Sequence, residues 1–260
     1  MWPEVGPFMT ARLLYVAGLG LHFLLSWGVA REERLEHRVW IAASCCYFFA
    51  MVIGSRILFD LLQGKPVLAN FWRVSYYFQS GLWGGLLGYF VLAVTSVLLL
   101  TKKRKAAMDL VALAVPLPWM LAKLHCLCHG CCYGRPTSVP WAIIFPSESR
   151  AAPPGIPIHP SQIYEMLIML GILMVFRLLP RERWRGTLVL WFVVVYGAGR
   201  AFTDVFRGDA QRHHNVGPFT ETQLICLLAV LAALAVLVWR GWQTQRAGRP
   251  GSERQPRPPS

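Results

Sequence analysis

Four side chains, Tyr196, Arg200, Asp204 and Arg207, are spaced four, four and three residues apart and so share one face of a helix. Two guanidiniums on such a stripe suit an anionic phosphate, because arginine presents a planar fork of donors and stays charged. The competing reading is an internal ion pair, Arg200 with Asp204, that ties helices together. Arg56 and Asp60, also four apart, raise the same two readings. A second group is His159-Pro160-Ser161-Gln162 at the start of an apolar stretch. Ser161 is placed to cap the helix through its hydroxyl. Gln162 and Glu165 face roughly the same way, and His159 is either a base or a residue of the helix start. A third group reads Cys126-Leu127-Cys128-His129-Gly130-Cys131-Cys132, with His125 just ahead of it. Cys128 and Cys131 form a C-x-x-C. Disulfide or packing, metal binding, and direct catalysis or redox all remain open for this group. The spacing is not a standard zinc motif, and no distant second ligand pair accompanies it. The expectation is therefore no metal and no cofactor, with Cys126, Cys128, Cys131 and Cys132 the ligands were a metal to bind. Cys45, Cys46 and Cys226 read as core residues.

The elements that position these groups are membrane helices by composition. The chain has 260 residues, 55% hydrophobic and 15% charged, against about 25% charged for a soluble domain, and its mean hydropathy is +0.43. Seven stretches approach the length of about 20 mostly apolar residues that a membrane helix needs: roughly 9–30, 39–63, 83–101, 107–128, 160–179, 187–206 and 219–240. The fourth holds Pro116, Pro118 and Lys123, and the fifth opens with polar residues.

Lys and Arg outnumber Asp and Glu by 26 to 13, a net charge of +13. They collect after the first, third and fifth stretches (Arg31, Arg34 and Arg38; Lys102 to Lys105; Arg177 to Arg185) and in the C-terminal tail. By the positive-inside rule the C-terminus is cytoplasmic and the N-terminus outside, as seven spans require. The basic excess is a topology signal, and a nucleic-acid partner is not expected. The fold expected is all-α, an integral membrane bundle of about seven transmembrane helices occupying 1–244. Residues 129–159 would form an extracytoplasmic loop or head, and 245–260 a disordered basic cytoplasmic tail.

This topology sorts the polar residues by depth. Arg56 and Asp60, Gly84 and Gly85, Lys123, His125 and His129, His159 to Glu165, Tyr196 to Arg207, and Thr220 to Gln223 all fall in the outer halves of their spans. The inner halves read as Leu, Val, Ala, Phe and Trp. Ionisable residues inside spans are costly and by default mark function. The pattern describes a polar cavity open to the outer leaflet, without the full-length polar path of a channel or transporter.

Several stretches resemble prolipoprotein diacylglyceryl transferases. They are Pro140-Trp141-Ala142-Ile143-Ile144-Phe145-Pro146, His159-Pro160-Ser161-Gln162-Ile163-Tyr164-Glu165, and Tyr196-Gly197-x-x-Arg200-x-x-x-Asp204-x-x-Arg207, with weaker echoes at Gly54-Ser55-Arg56, Gly84-Gly85-Leu86 and 217–223. The similarity covers almost the whole chain, the seven-span topology included. That family moves a diacylglyceryl group from phosphatidylglycerol to the lipobox cysteine thiol of a prolipoprotein. The resemblance therefore implies a transferase of the bacterial cytoplasmic (inner) membrane, with phosphatidylglycerol and a signal-peptide lipobox segment as partners. It implies catalytic roles for His159, Tyr196, Arg200, His129 and His125. It implies substrate contacts from Lys123, Arg200, Arg207, Asp204, Gln162, Glu165, Arg56, Gly84 and Gly85.

The family's signature loop reads roughly G-R-x-G-N-F-x-N-x-E-x-x-G, and the stretch aligned with it is Ala122–Gly134. Its Arg is Lys123 here, its two Asn are Cys126 and His129, and its Glu is Cys131. The family's His before Gly-Gly is Trp83, so His125, His129 or His159 would take the base role. A paralogous membrane transferase with another lipid or acceptor, and a non-catalytic metal or redox membrane protein built on the Cys/His cluster, are the alternatives.

Overall fold

Each of the seven apolar stretches contains a helix. The computed structural model describes residues 7–54, 57, 82–147, 152–180, 184–208 and 215–247, which are mostly helical. The helices are α1 (Pro7–Glu32), α2 (His37–Phe49, continued by a π-helical turn Ala50–Gly54), α3 (Leu82–Leu100), α4 (Arg104–Leu113), α5 (Pro116–His129), α6 (Ser161–Leu178), α7 (Leu188–Asp204) and α8 (Glu221–Ala247). The fourth expected span, 107–128, is two helices rather than one. Pro116 and Pro118 lack the N–H that would continue the ladder from α4. Ala114 closes α4 on the Leu110 carbonyl, and the prolines stand in the first turn of α5, where the missing donors cost nothing. The last helix runs to Ala247, past the expected boundary at 244. Residues 248–260, Arg56 and Asp60 lie outside the described residues.

Helix α5 packs against α1 and α6, and α7 packs against α8, α6 and α4. The core between them is made of residues such as Val39, Ala43, Tyr89, Val97, Val111, Trp119 and Phe192. The outward faces are also apolar: Leu24, Leu99, Leu167, Leu178, Leu228 and Val238 are exposed. A water-facing surface rarely presents so much contiguous apolar area, whereas a hydrocarbon solvent favours it. By length and composition three helical runs among the described residues are able to cross a membrane: Arg104–His129, Ser161–Leu178 and Glu221–Arg246.

The halves expected to be inner are not free of polar groups, which corrects the composition read for them from the sequence. His22 is buried on α1, with Nδ1 3.0 Å from the Ala114 carbonyl oxygen and its ring stacked on Tyr47. Ser26 and Ser44 share a hydrogen bond between α1 and α2. Asp109 accepts from the backbone N–H groups of Gly186 at 2.7 Å and Leu188 at 3.3 Å. Its carboxylate thus serves amides at the start of α7, which Thr187 does not cap. At that same end Glu32, Glu33, Arg34, Lys102 to Lys105 and Arg185 gather around one cavity, and Arg185 pairs with Glu33.

The opposite end carries the segment between α5 and α6. Gly130, at φ +75°, terminates α5 in the left-handed conformation. The chain then runs between two neighbours. Arg135 N–H donates to the Phe206 carbonyl at 2.8 Å, Gly208 N–H to the Tyr133 carbonyl, and His159 N–H to the Arg135 carbonyl. A two-residue ladder, β1 (Ile143–Ile144) with β2 (Pro157–Ile158), completes the segment over a small cluster of Phe145, Ala152 and Ile158. Gly134 sits where the strands press closest, and a Cβ there would fall 2.3 Å from the His159 carbonyl oxygen. A second short hairpin, β3 (Asn215–Val216) with β4 (Phe219–Thr220), leads into α8.

Candidate active site

Four helices deliver charged or polar side chains to this end: the last turns of α5 and α7 and the first turns of α6 and α8. Their spacing along each helix decides which meet. Trp119 and Lys123 are one turn apart on α5, and Tyr196, Arg200 and Asp204 are one turn apart on α7. Glu165 of α6 stands between them. It pairs with Lys123 Nζ at 2.8 Å, accepts from the Tyr196 hydroxyl at 3.2 Å, and lies 3.7 Å from Arg200 Nε. Arg200 donates to Asp204 at 2.7 Å, and Asp204 accepts from the Thr220 hydroxyl. The internal ion pair Arg200–Asp204 is thus present, and it is one edge of a larger network. Lys123, Glu165, Arg200, Asp204 and Arg207 are each no more than 3% exposed. Three cations and two carboxylates lie together there. Charges taken out of water are costly unless paired and hydrogen-bonded.

Trp119, which spacing did not single out, belongs to this group, and so do Thr220 and Gln223. Trp119 is fully buried, with Lys123 Nζ 5.4 Å from its ring centroid and Tyr196 edge-on at 5.9 Å. Its Nε1 has no hydrogen-bond partner among the described residues. Its position four residues before Lys123 is the signal that points to it. Thr220 and Gln223 form a capping box at the start of α8, legible as T-x-x-Q: Gln223 N–H donates to the Thr220 hydroxyl oxygen, and Thr220 N–H donates to Gln223 Oε1. Because the same hydroxyl donates to Asp204, Thr220→Val is expected to lower stability by about 1–2 kcal/mol. Thr220→Ser should stay near the unchanged chain. Thermal unfolding in detergent compares the two.

Ser161 corrects an expectation. It does not cap α6; its hydroxyl donates 2.6 Å to the Cys132 carbonyl, and Gln162 Nε2 donates 2.7 Å to the Cys131 carbonyl. The start of α6 therefore clamps the turn after α5. In that turn Cys132 has φ +59°, a strained conformation for a residue with a side chain. The sulfurs of Cys126, Cys131 and Cys132 lie within 4.8 Å of one another. Cys128, half of the C-x-x-C, is not in the group, because the helix of α5 turns it to another face from Cys126. Hydrogen bonds from Cys126 and Cys131, with Arg207 and Lys123 behind them, hold the Cys132 thiol well below its ordinary pKa, against the effect of burial.

His125 and His129 lie one turn apart on α5, with near-parallel rings 5.9 Å between centroids. His159 exchanges a hydrogen bond with the Tyr164 hydroxyl at 3.0 Å, packs on Phe206, and shares Tyr164 with the Trp141 indole N–H. Gly84 and Gly85 fall in the first turn of α3.

An apolar helical bundle with buried cations gathered at one end defines a membrane-embedded protein suited to an anionic group. The chain belongs to the prolipoprotein diacylglyceryl transferase family, whose sequence profile matches residues 11–239. It is similar to a phosphatidylglycerol–prolipoprotein diacylglyceryl transferase of Geobacter sulfurreducens, 34% identical over 195 residues that cover 68% of this chain and 72% of that one. The enzyme of the same name from Rhodospirillum rubrum is 32% identical over 239 residues, 80% of each chain. That from Clostridium tetani is 29% identical over 188 residues, 69% of this chain and 72% of the relative.

Proposed function

We propose that this chain transfers a diacylglyceryl group from phosphatidylglycerol to the lipobox cysteine thiol of a prolipoprotein, working as a multi-pass protein of the bacterial inner membrane. Family membership supports the reaction. The observation that carries the site is the buried network centred on Glu165, with the cations Lys123, Arg200 and Arg207 gathered about it.

The reaction is a displacement at carbon. The acceptor thiol gives its proton to solvent, its sulfur forms a C–S bond to the glyceryl carbon, the C–O bond to the phosphate breaks, and glycerol phosphate leaves with the electron pair. Charge grows on the departing phosphate oxygen, and fixed cations in a water-poor site stabilise that growth. In this reading Arg200 and Arg207 face the phosphate, and Lys123 adds charge without a bidentate fork. Glu165, Asp204 and Tyr196 hold the cations in place, and Gln162 holds the turn beside them. The basic end lined by Arg34 and Lys102 to Lys105 faces the cytoplasm, which puts the N-terminus and the 129–159 head outside. The exposed leucines of α6 and α8 meet acyl chains.

The test is the purified chain in phosphatidylglycerol vesicles with a lipobox peptide, followed by mass spectrometry for a diacylglyceryl thioether. Product should appear with phosphatidylglycerol and not with phosphatidylethanolamine, and Lys123→Met should slow it about 10²-fold. No product from the unchanged chain would refute the reading.

A further inference from the structure

The three-thiol group at the end of α5 has no part in the phosphate-binding network, yet it lies beside it. The sulfurs of Cys126, Cys131 and Cys132 already stand within 4.8 Å of one another. Zinc–sulfur bonds of about 2.3 Å place the ligands of a tetrahedral site about 3.8 Å apart, so closing on an ion asks for at most about 1 Å of side-chain adjustment. The backbone is held for it. Gly130 turns the chain back on α5, so that Cys131 N–H donates to the Cys126 carbonyl at 3.0 Å. Ser161 and Gln162 then grip the carbonyls of Cys132 and Cys131. Cys126 and Cys132 are buried, and Cys131 is partly so. Rigid support of this kind is what a ligand set needs to hold its geometry.

We propose that Cys126, Cys131 and Cys132 bind one zinc ion as three thiolates, leaving a fourth position for the acceptor cysteine of the incoming peptide. The inference rests on the transfer reading above and deepens it. A thiol bound to zinc loses its proton at neutral pH and remains a nucleophile. The proton goes to solvent, and the bound sulfur attacks the glyceryl carbon as the C–O bond to phosphate breaks. The thioether product is a neutral, weaker ligand than the thiolate and leaves the ion. Zinc is the ion that three soft thiolates and a tetrahedral site select where no redox change is wanted.

The full chain, purified in detergent without chelator and under reducing conditions, is analysed for metal by mass spectrometry. About one zinc per chain is expected, as for a site with three protein ligands and one open position. Cys128→Ser should keep it, whereas Cys126→Ser, Cys131→Ser and Cys132→Ser should each lose most of it. Because a poorly folded variant would also lose metal, cobalt is exchanged into the unchanged chain. Its thiolate charge-transfer absorption should appear, and its ligand-field bands should shift on adding a lipobox peptide but not the same peptide with serine for cysteine. A zinc-free chain, a disulfide among the three cysteines in the purified chain, or a cobalt spectrum indifferent to the cysteine peptide would overturn the proposal. A triple serine variant that transfers at the unchanged rate would also overturn it and leave the transfer reading intact. A chain that binds zinc and answers to the cysteine peptide, but moves no lipid from phosphatidylglycerol, would refute the donor reading and leave the metal site standing.

Discussion

Arg200→Ala is expected to reduce lipid transfer by about 10²- to 10³-fold, the usual cost of removing a donor aimed at developing charge. Arg200 is the cation that links both carboxylates of the site, through its bond to Asp204 and its position 3.7 Å from Glu165. Its loss leaves Asp204 buried without its guanidinium partner. Breaking a buried pair by deleting one partner costs about 3–5 kcal/mol, so thermal unfolding in detergent should fall as well. Arg200→Lys separates the two effects. It restores the charge and most of the stability, but its single ammonium does not reproduce the guanidinium fork, so transfer should recover less than folding does. The measurements are thioether yield by mass spectrometry, normalised to folded protein, and the unfolding temperature. An Arg200→Ala chain that transfers at the unchanged rate would remove the phosphate role.

Gly134→Ala is the second large effect, and it acts through backbone. A methyl group at 134 would lie 2.3 Å from the His159 carbonyl oxygen and 2.5 Å from its Cβ. Neither neighbour is a flexible side-chain end that can swing away. The strand through Gly134 also carries the bonds from Tyr133 to Gly208 and from Arg135 to Phe206, so displacing it unties the head segment from the end of α7. Overpacking of this kind costs about 1–3 kcal/mol or somewhat more. The expected result is faster proteolysis within 133–159 and a loss of transfer that follows the loss of structure. Gly171→Ala is the control. Nothing lies within 4 Å of its Cβ position in the interior of α6, and alanine there should stabilise the helix by about 0.5–1 kcal/mol. Equal behaviour of the two variants would mean that the head is not docked as described.

Much of this molecule is readable one helix at a time. Apolar stretches of the right length place α1, α3, α6 and α7 within a few residues, because local periodicity and length are properties of the chain itself. The shared face of Tyr196, Arg200 and Asp204 follows from a spacing of four, and the start of α8 from its T-x-x-Q capping box. The break between α4 and α5 was visible as two prolines, but their cost depends on whether the ladder restarts at once, which it does.

What spacing cannot supply is the partner across a gap. Lys123 and Glu165 were each expected to face a substrate, and they face each other, because α5 and α6 pack with those turns in register. Ser161 looked like a cap and is a clamp on Cys132, since the turn after α5 passes within reach of its hydroxyl. Cys128 and Cys131 looked like a pair by sequence distance. The left-handed turns at Gly130 and Cys132 instead bring Cys131 and Cys132 back over Cys126. Asp109, far along the chain from α7, serves the amides at its start. The sequence by itself determined the helices, their apolar faces and the residues able to carry charge among them, because those depend on neighbours one turn away. Only the tertiary structure decided which charges and thiols meet, because that depends on how separate helices pack and on the direction the chain takes between them.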